Sequence, residues 1–70
     1  MHHDNDNIPM LVSLNEACRL TSMSRTMLNR YRAEGRFPVA VDLGERRVAF
    51  VRSEVAEWIQ QKIAARGAAA

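Results

Sequence analysis

A chain of 70 residues can fold as one small domain, and with a single cysteine and no Cys/His cluster of zinc-ligand spacing its core must be purely hydrophobic. No apolar run approaches the roughly 18 residues that a membrane span requires, and nothing resembles a signal peptide, so we expect a cytoplasmic protein without metal or cofactor. The net charge is +2, but without residues 1–7 ten basic side chains, nine of them arginine, face six acidic ones.

The two ends of the chain are predicted to lie outside the folded domain. Residues 1–7 have almost nothing apolar to bury and are expected to form a disordered tail. Residues 67–70, a glycine and three alanines, are expected to fray. The domain is therefore predicted to span residues 8–66, with Leu11 or Val12 packing on it.

A first helix is predicted over about residues 14–20. Ser13 opens a Ser-x-x-Glu capping box, in which the Ser13 hydroxyl accepts a hydrogen bond from the amide of Glu16 and the Glu16 carboxylate reaches back. The apolar residues of this helix fall at i, i+3 and i+4 and form an inward face of Leu14, Ala17 and Cys18. Cys18 is therefore interpreted as a small core residue and not as a catalytic one.

A second helix is predicted after the tight turn Thr21-Ser22-Met23, with Ser24 as its N-cap. Gly35 fits the left-handed position that follows a helix, and Pro38 prevents its continuation. At 100° per residue, the inward face carries Met27, Leu28 and Tyr31. The opposite face carries Thr26, Asn29, Arg30 and Ala33. Two short helices joined by about three residues describe a helix-turn-helix, whose second helix enters the major groove of DNA.

The polar face of the second helix holds the candidate DNA-binding residues Ser24, Arg25, Thr26, Asn29 and Arg30. Arg25, at the start of the helix, is expected to contact phosphate. Asn29 and Arg30 are the candidates for base edges, because asparagine can bond adenine bidentately and arginine can bind guanine. Thr26 is expected to contact a base methyl group or a phosphate.

A β-hairpin is predicted within residues 39–51, because the apolar residues alternate on either side of the turn Gly44-Glu45-Arg46. The alternating residues are Val39, Val41 and Leu43, then Val48 and Phe50. A hairpin beside a helix-turn-helix is a wing. Arg46 and Arg47 at its tip, with Arg36 on the flank, can hold the DNA backbone or a narrow minor groove. The alternative, solubility charges that guard an exposed edge strand, stays open.

A last helix is predicted with Ser53 as its N-cap and Glu54 at its positive N-terminal end. Its inner stripe is Val55, Trp58, Ile59 and, at the margin, Ile63. Trp58 is expected to anchor the core, with Phe37 as a core plug. The predicted fold class is α+β and mostly helical, a small winged helix-turn-helix of three helices and a hairpin.

The order and spacing of several short motifs resemble the AlpA-like phage regulatory proteins, a group related to excisionases and to the DNA-binding heads of MerR-type regulators. The resemblance extends over about residues 11–66. The residues that carry it are Leu14 with Glu16, Leu20-Thr21, Met23-Ser24-Arg25, Arg30, Glu34-Gly35-Arg36-Phe37-Pro38, Leu43-Gly44-Glu45-Arg46, Ser53-Glu54-Val55 and Glu57-Trp58-Ile59.

This resemblance implies a winged helix-turn-helix that binds DNA through its second helix and its wing. Carried across by position, the contacting residues are Arg25, Thr26, Asn29 and Arg30 on the helix and Arg46 and Arg47 on the wing. The chain departs from the family pattern with Asn29 where an aromatic is common, Arg32 where an aliphatic is common, and Phe50 for a frequent tryptophan. Arg32 lies near the buried edge and is expected to snorkel or to find an acidic partner.

The function expected from the sequence is sequence-specific binding of double-stranded DNA in a bacterium, as a nucleoid-associated regulator or excisionase of a prophage or mobile element. So small a module offers few base contacts, so we expect a monomer in solution that acts with further copies on DNA or with an integrase. A module that binds an integrase, repressor or polymerase, with DNA secondary, is the alternative. No enzyme is expected, because residues 8–66 contain no histidine and no glycine-rich phosphate loop.

Overall fold

The computed structural model describes residues 9–68 and contains three helices and three strands. In chain order these are β1 (Leu11–Ser13), α1 (Leu14–Thr21), α2 (Arg25–Ala33), β2 (Val41–Gly44), β3 (Arg47–Val51) and α3 (Arg52–Ala68). The predicted α+β class is confirmed, and the arrangement is consistent with a small winged helix-turn-helix. The predicted tail at residues 1–7 lies outside the described residues, as do residues 69–70, whereas Gly67 lies within α3.

The three strands form one antiparallel sheet in the order β1-β3-β2, with β3 in the centre. Val12 of β1 pairs with Phe50, and Val41 of β2 pairs with Ala49. The sequence predicted the hairpin of β2 and β3 but only a packing contact for Leu11 or Val12. Val12 is buried, and its strand extends the hairpin into a three-stranded sheet. Because β3 lies between two neighbours, both of its edges are paired, which stabilises the base of the hairpin.

The N-terminal caps of α1 and α2 are those predicted. The Ser13 hydroxyl accepts a hydrogen bond from the amide of Glu16 at 3.0 Å, and the Ser24 hydroxyl accepts one from the amide of Met27 at 3.1 Å. The second half of the capping box was predicted wrongly. The Glu16 carboxylate does not reach back but accepts two hydrogen bonds from the Arg19 guanidinium, one turn further along the exposed side of α1. A charged fork matches a carboxylate better than a single amide does.

The predicted cap of α3 is also wrong. The helix begins at Arg52, directly after β3, so Ser53 is its second residue and not its cap. The chain passes from strand to helix without a loop, and the amide of Arg52 donates to the carbonyl of Met10 at 2.7 Å. An amide at the start of the helix is therefore satisfied by the segment that precedes β1. No helix within residues 9–68 has the length and apolar character needed to cross a membrane.

The hydrophobic core lies between the sheet and the three helices and consists of Val12, Ala17, Leu28, Phe37, Phe50 and Val55. Phe37 is buried, as predicted, and its ring meets the rings of Phe50 and Trp58 edge-on at centroid distances of 5.3 and 5.0 Å. The Trp58 indole N–H donates to the carbonyl of Arg36 at 2.8 Å. Trp58 therefore anchors the segment after α2 to α3, although it is only partly buried. Cys18 packs against this core from α1, as predicted.

Three apolar residues are more exposed than the sequence pattern predicts. Met27 is 39% exposed, because Leu28 alone fills the core from that part of α2. Val39, which is 84% exposed, precedes β2 and does not belong to it. Leu43 is 51% exposed, because Asp42 pairs with Val48 while Gly44 pairs with Arg47, which leaves Leu43 as the extra residue of a β-bulge. The bulge breaks the regular alternation of Val39, Val41 and Leu43 that the sequence predicted.

Candidate nucleic-acid interface

A tight left-handed turn fixes the angle at which α2 leaves α1. Ser22 has φ 61° and ψ 30°, and its amide donates to the carbonyl of Arg19. The amide of Met23 donates to the carbonyl of Cys18 at 3.1 Å, so orphan carbonyls at the end of α1 are satisfied within the turn. Thr21 belongs to α1, and the connection is residues 22–24, one residue later than predicted.

The candidate recognition residues lie together on the exposed side of α2. Leu28 is fully buried and Tyr31 is partly buried, which turns the opposite face outward. The exposed residues there are Arg25, Thr26, Asn29 and Arg30, preceded by Ser24. Because they follow each other at i, i+3 and i+4, they form one continuous polar strip. The Ser24 hydroxyl already accepts a hydrogen bond from the Met27 amide, so this side chain caps the start of the helix.

Asn29 and Arg32 contact each other at the C-terminal half of this strip. The Arg32 Nη1 donates to the Asn29 Oδ1 at 2.9 Å, and the Arg32 guanidinium lies 5.4 Å from the centroid of the Phe50 ring. The predicted snorkelling is compatible with this packing, but the predicted acidic partner is wrong, because the partner is an amide and an aromatic face. The i, i+3 spacing of Asn29 and Arg32 on one helix is the sequence signal for this contact.

Arg36, predicted to flank the interface, makes intramolecular contacts with Glu34 and Tyr31. Gly35, with φ 71°, reverses the chain after α2, and the amide of Arg36 donates to the carbonyl of Tyr31 at 2.8 Å. The Arg36 guanidinium donates to Glu34 Oε1 at 3.0 Å and lies 4.5 Å from the centroid of the Tyr31 ring. Its side chain remains 55% exposed, so one face of the guanidinium is open to solvent.

The tip of the hairpin is a two-residue turn of Glu45 and Arg46, both with positive φ, at 52° and 66°. This conformation matches the right-handed twist of the flanking strands. The turn was predicted one residue earlier, at Gly44, which instead ends β2 and donates its amide to Asp42 Oδ1 at 2.8 Å. Arg46 in the turn and Arg47 at the start of β3 are both exposed, as predicted for a tip.

The arginines of the molecule divide into paired and unpaired groups. Within residues 9–68 two ion pairs form, Arg19 with Glu16 and Arg36 with Glu34. The hydrogen bond from Arg19 lowers the pKa of the Glu16 carboxyl, and the same contact raises the pKa of Arg19. Five exposed arginines make no ion pair with the described residues: Arg25 and Arg30 on α2, Arg46 and Arg47 on the hairpin, and Arg66 in the last turn of α3. Unpaired positive charge is therefore available on α2 and on the hairpin, and separately at the end of α3.

An open groove of about 780 Å³ lies between the C-terminal half of α2 and the hairpin. Asn29 and Arg32 line it from α2, and Asp42 and Arg46 line it from the hairpin. The groove joins the polar strip of the helix to the basic tip of the hairpin. In the part of the chain that the structure describes, no group of three or more His, Cys, Asp or Glu side chains could hold a metal ion. The arrangement offers hydrogen-bond donors and positive charge over a broad open surface.

Residues 10–63 match the family described as prophage CP4-57 regulatory protein (AlpA). The match covers most of the chain, and the chain therefore belongs to this family of phage regulatory proteins. It includes both α2 and the hairpin, and so contains every residue of the candidate interface. A search of the curated proteins and a search of the solved structures each found no match.

Proposed function

We propose that this AlpA-family protein is a sequence-specific double-stranded DNA-binding protein that regulates transcription or excision of a prophage or mobile element. In this proposal α2 enters the major groove and the β2–β3 hairpin contacts the flanking backbone or minor groove. The observation that carries it is the exposed strip of α2, where Arg25 and Arg30 have no ion pair within residues 9–68 while Leu28 is fully buried behind them. In this role the protein acts in the bacterial cytoplasm.

Contacts to phosphate and contacts to bases have separate roles in this proposal. Arg25 and the start of α2 at Ser24 contact a phosphate of the DNA backbone, and Thr26 contacts a phosphate or a base methyl group. Asn29 and Arg30, one turn further along, read base edges. The flanking contacts come from Arg46, Arg47 and Arg36.

Arg36 is expected to contribute less to DNA binding than the two hairpin arginines. Its guanidinium already donates to Glu34, so the net charge that it offers to phosphate is smaller. The matched substitutions Arg36→Ala and Arg47→Ala measure this difference on the same duplex. A larger loss of affinity for Arg36→Ala would contradict this assignment.

Few bases can be read by one copy of so short a helix. α2 has nine residues and exposes four polar side chains on its outer face. We therefore propose that a monomer in solution assembles with further copies on adjacent DNA sites, or acts with an integrase. The position of the binding site distinguishes the two outcomes, because a promoter indicates transcriptional regulation and an attachment site indicates excision.

Binding to a protein partner, with DNA secondary, is the second candidate function. It is favoured by exposed apolar residues that the sequence pattern did not predict, Met10 and Val39 at 82% and 84% exposure, together with Leu43 at the hairpin. A purified integrase, repressor or polymerase would be the ligand to test. Saturable binding to one of these without DNA, abolished by Val39→Asp, supports this function.

The proposed function is tested by fluorescence anisotropy of the full chain against DNA tiled across its own genomic neighbourhood, at two salt concentrations with scrambled competitor. We expect one discrete high-affinity tile. Arg30→Ala should weaken binding to that tile, whereas Arg66→Ala, which removes the same charge from the last turn of α3, should not. Weak binding to every tile that collapses with salt would refute sequence-specific recognition and favour the protein partner.

A further inference from the structure

The acceptor atom of the Asn29 side chain is already engaged by the protein. Arg32 Nη1 donates to Asn29 Oδ1 at 2.9 Å. Arg32 itself is partly buried, and its guanidinium lies 5.4 Å from the centroid of the Phe50 ring, which is fully buried. The guanidinium is thus held between an aromatic face of the core and the amide, while Asn29 stays exposed on the outer strip of α2.

This contact distinguishes the two ends of the carboxamide. A free asparagine offers an oxygen that can accept two hydrogen bonds and an amino group that donates two. In the described residues the oxygen is bonded to a cation, whereas the amino group has no hydrogen-bond partner. A donor that approaches the oxygen meets the positive charge of Arg32, whereas an acceptor that approaches the amino group meets no competitor.

We propose that Arg32 is a positioning residue that determines the base specificity of Asn29, so that Asn29 presents N–H donors to the DNA and selects guanine. The inference rests on the proposed function, in which α2 lies in the major groove. Guanine offers two acceptors there, N7 and O6, and both suit an amide that donates. Adenine in its bidentate pairing must donate its amino group to the asparagine oxygen, where Arg32 already occupies one of the two lone pairs and its positive charge opposes a second donor. Cytosine presents only its amino donor and fits least well.

The test measures binding of the full chain to four duplexes that differ only at the base pair that Asn29 faces. That pair is identified as the one at which Asn29→Ala loses discrimination. The wild-type protein should prefer guanine. Arg32→Met keeps an unbranched side chain against Phe50 but frees the oxygen, so the preference should shift toward adenine by about fivefold or more. In the Asn29→Ala background, Arg32→Met should leave the four relative affinities unchanged, because Arg32 acts through Asn29.

Arg32→Lys separates positioning from simple charge. Lysine keeps the positive charge but lacks the planar fork and its stacking, so a phosphate contact would survive the substitution. If Arg32→Met lowers all four affinities equally and Arg32→Lys restores them, Arg32 contacts phosphate and the inference is overturned. Thermal unfolding followed by circular dichroism shows whether each variant is folded.

The wild-type profile tests the inference even if Arg32→Met fails to fold. A wild-type preference for adenine, cytosine or thymine at this position overturns it. The engaged oxygen should disfavour adenine and cytosine, and thymine offers one acceptor, O4, where guanine offers two. Such a result, with specific binding retained, leaves the proposed function intact. Absence of any sequence-specific complex overturns the inference and the proposed function together.

Discussion

The salt dependence of DNA binding should reveal how many arginines contact phosphate. Each neutralised phosphate contributes about 0.9 to the slope of log affinity against log salt concentration. The unpaired arginines that the proposed function places on phosphate are Arg25, Arg46 and Arg47, and each is exposed in the described structure. If these three supply the phosphate contacts, the slope is about −2.7, whereas contacts from all basic residues of the chain would give about −9.

Arg47→Ala at the hairpin is the substitution that tests this count. Loss of one phosphate contact reduces the magnitude of the slope by about 0.9. When the salt concentration rises from about 50 to about 200 mM, the affinity of the variant should therefore fall by a factor that is about 3.5 times smaller than the factor for the wild type. The assay is fluorescence anisotropy with a fixed duplex over a series of salt concentrations. Arg66→Ala, with the same change of charge on α3, should keep the wild-type slope. Equal slopes for wild type and Arg47→Ala, or an equal reduction in both variants, would refute the placement of the hairpin on the DNA backbone.

Further predictions concern the stability of the fold. Phe37→Ala should lower the free energy of unfolding by about 3–5 kcal/mol in urea titrations, because Phe37 is buried between two aromatic rings, and a loss below 1 kcal/mol would contradict this. Ser24→Ala should lower the free energy of unfolding by about 1 kcal/mol and Ser53→Ala by less than about 0.5 kcal/mol, because of these two serines only Ser24 caps a helix. Equal losses would be inconsistent with the start of α3 at Arg52. The hydrogen bond from Arg19 lowers the folded-state pKa of Glu16, so the stability that the carboxylate contributes is present at neutral pH and is lost as the pH falls through that pKa. The difference in unfolding free energy between wild type and Glu16→Gln should therefore shrink in acid. A difference that stays constant with pH would argue against the Arg19 contact.

Local sequence signals predicted the helix-turn-helix well because its determinants lie within a few residues of each other. The caps at Ser13 and Ser24, the left-handed Gly35 and the buried Phe37 were all read from short spacings. Family resemblance and residue pattern agreed on the hairpin, and the structure contains it at residues 41–51.

The errors of prediction came from contacts between distant parts of the chain or from local competition. β1 has only three residues and forms by pairing with β3, which lies almost 40 positions later, so no local period marked it. Ser53 looked like a cap because the direct passage from strand to helix could not be read from residue types. The Glu16 carboxylate could bond either the backbone at the N-cap or the Arg19 guanidinium, and it bonds Arg19. The predicted alternation does not continue through Leu43, because a bulge shifts the register by one residue.

The candidate site was predictable in composition but not in its internal bonds. The polar strip of α2 and the arginines at the hairpin tip lie where the pattern placed them, and their contacts with DNA stay predictions. The bonds of Arg32 to Asn29 and of Arg36 to Glu34 were not foreseen. Both change what the side chains can offer to a ligand, which residue identity alone does not reveal.

Nuclear magnetic resonance can map the DNA-contacting surface directly, with amide shifts of the labelled full chain recorded during titration with its specific duplex. We expect the largest shift changes in residues 24–30 and 45–47, with little change in residues 60–66 at the far end of α3. Dominant changes in residues 60–66, or around the exposed Val39 with α2 unaffected, would contradict DNA recognition by α2 and the hairpin.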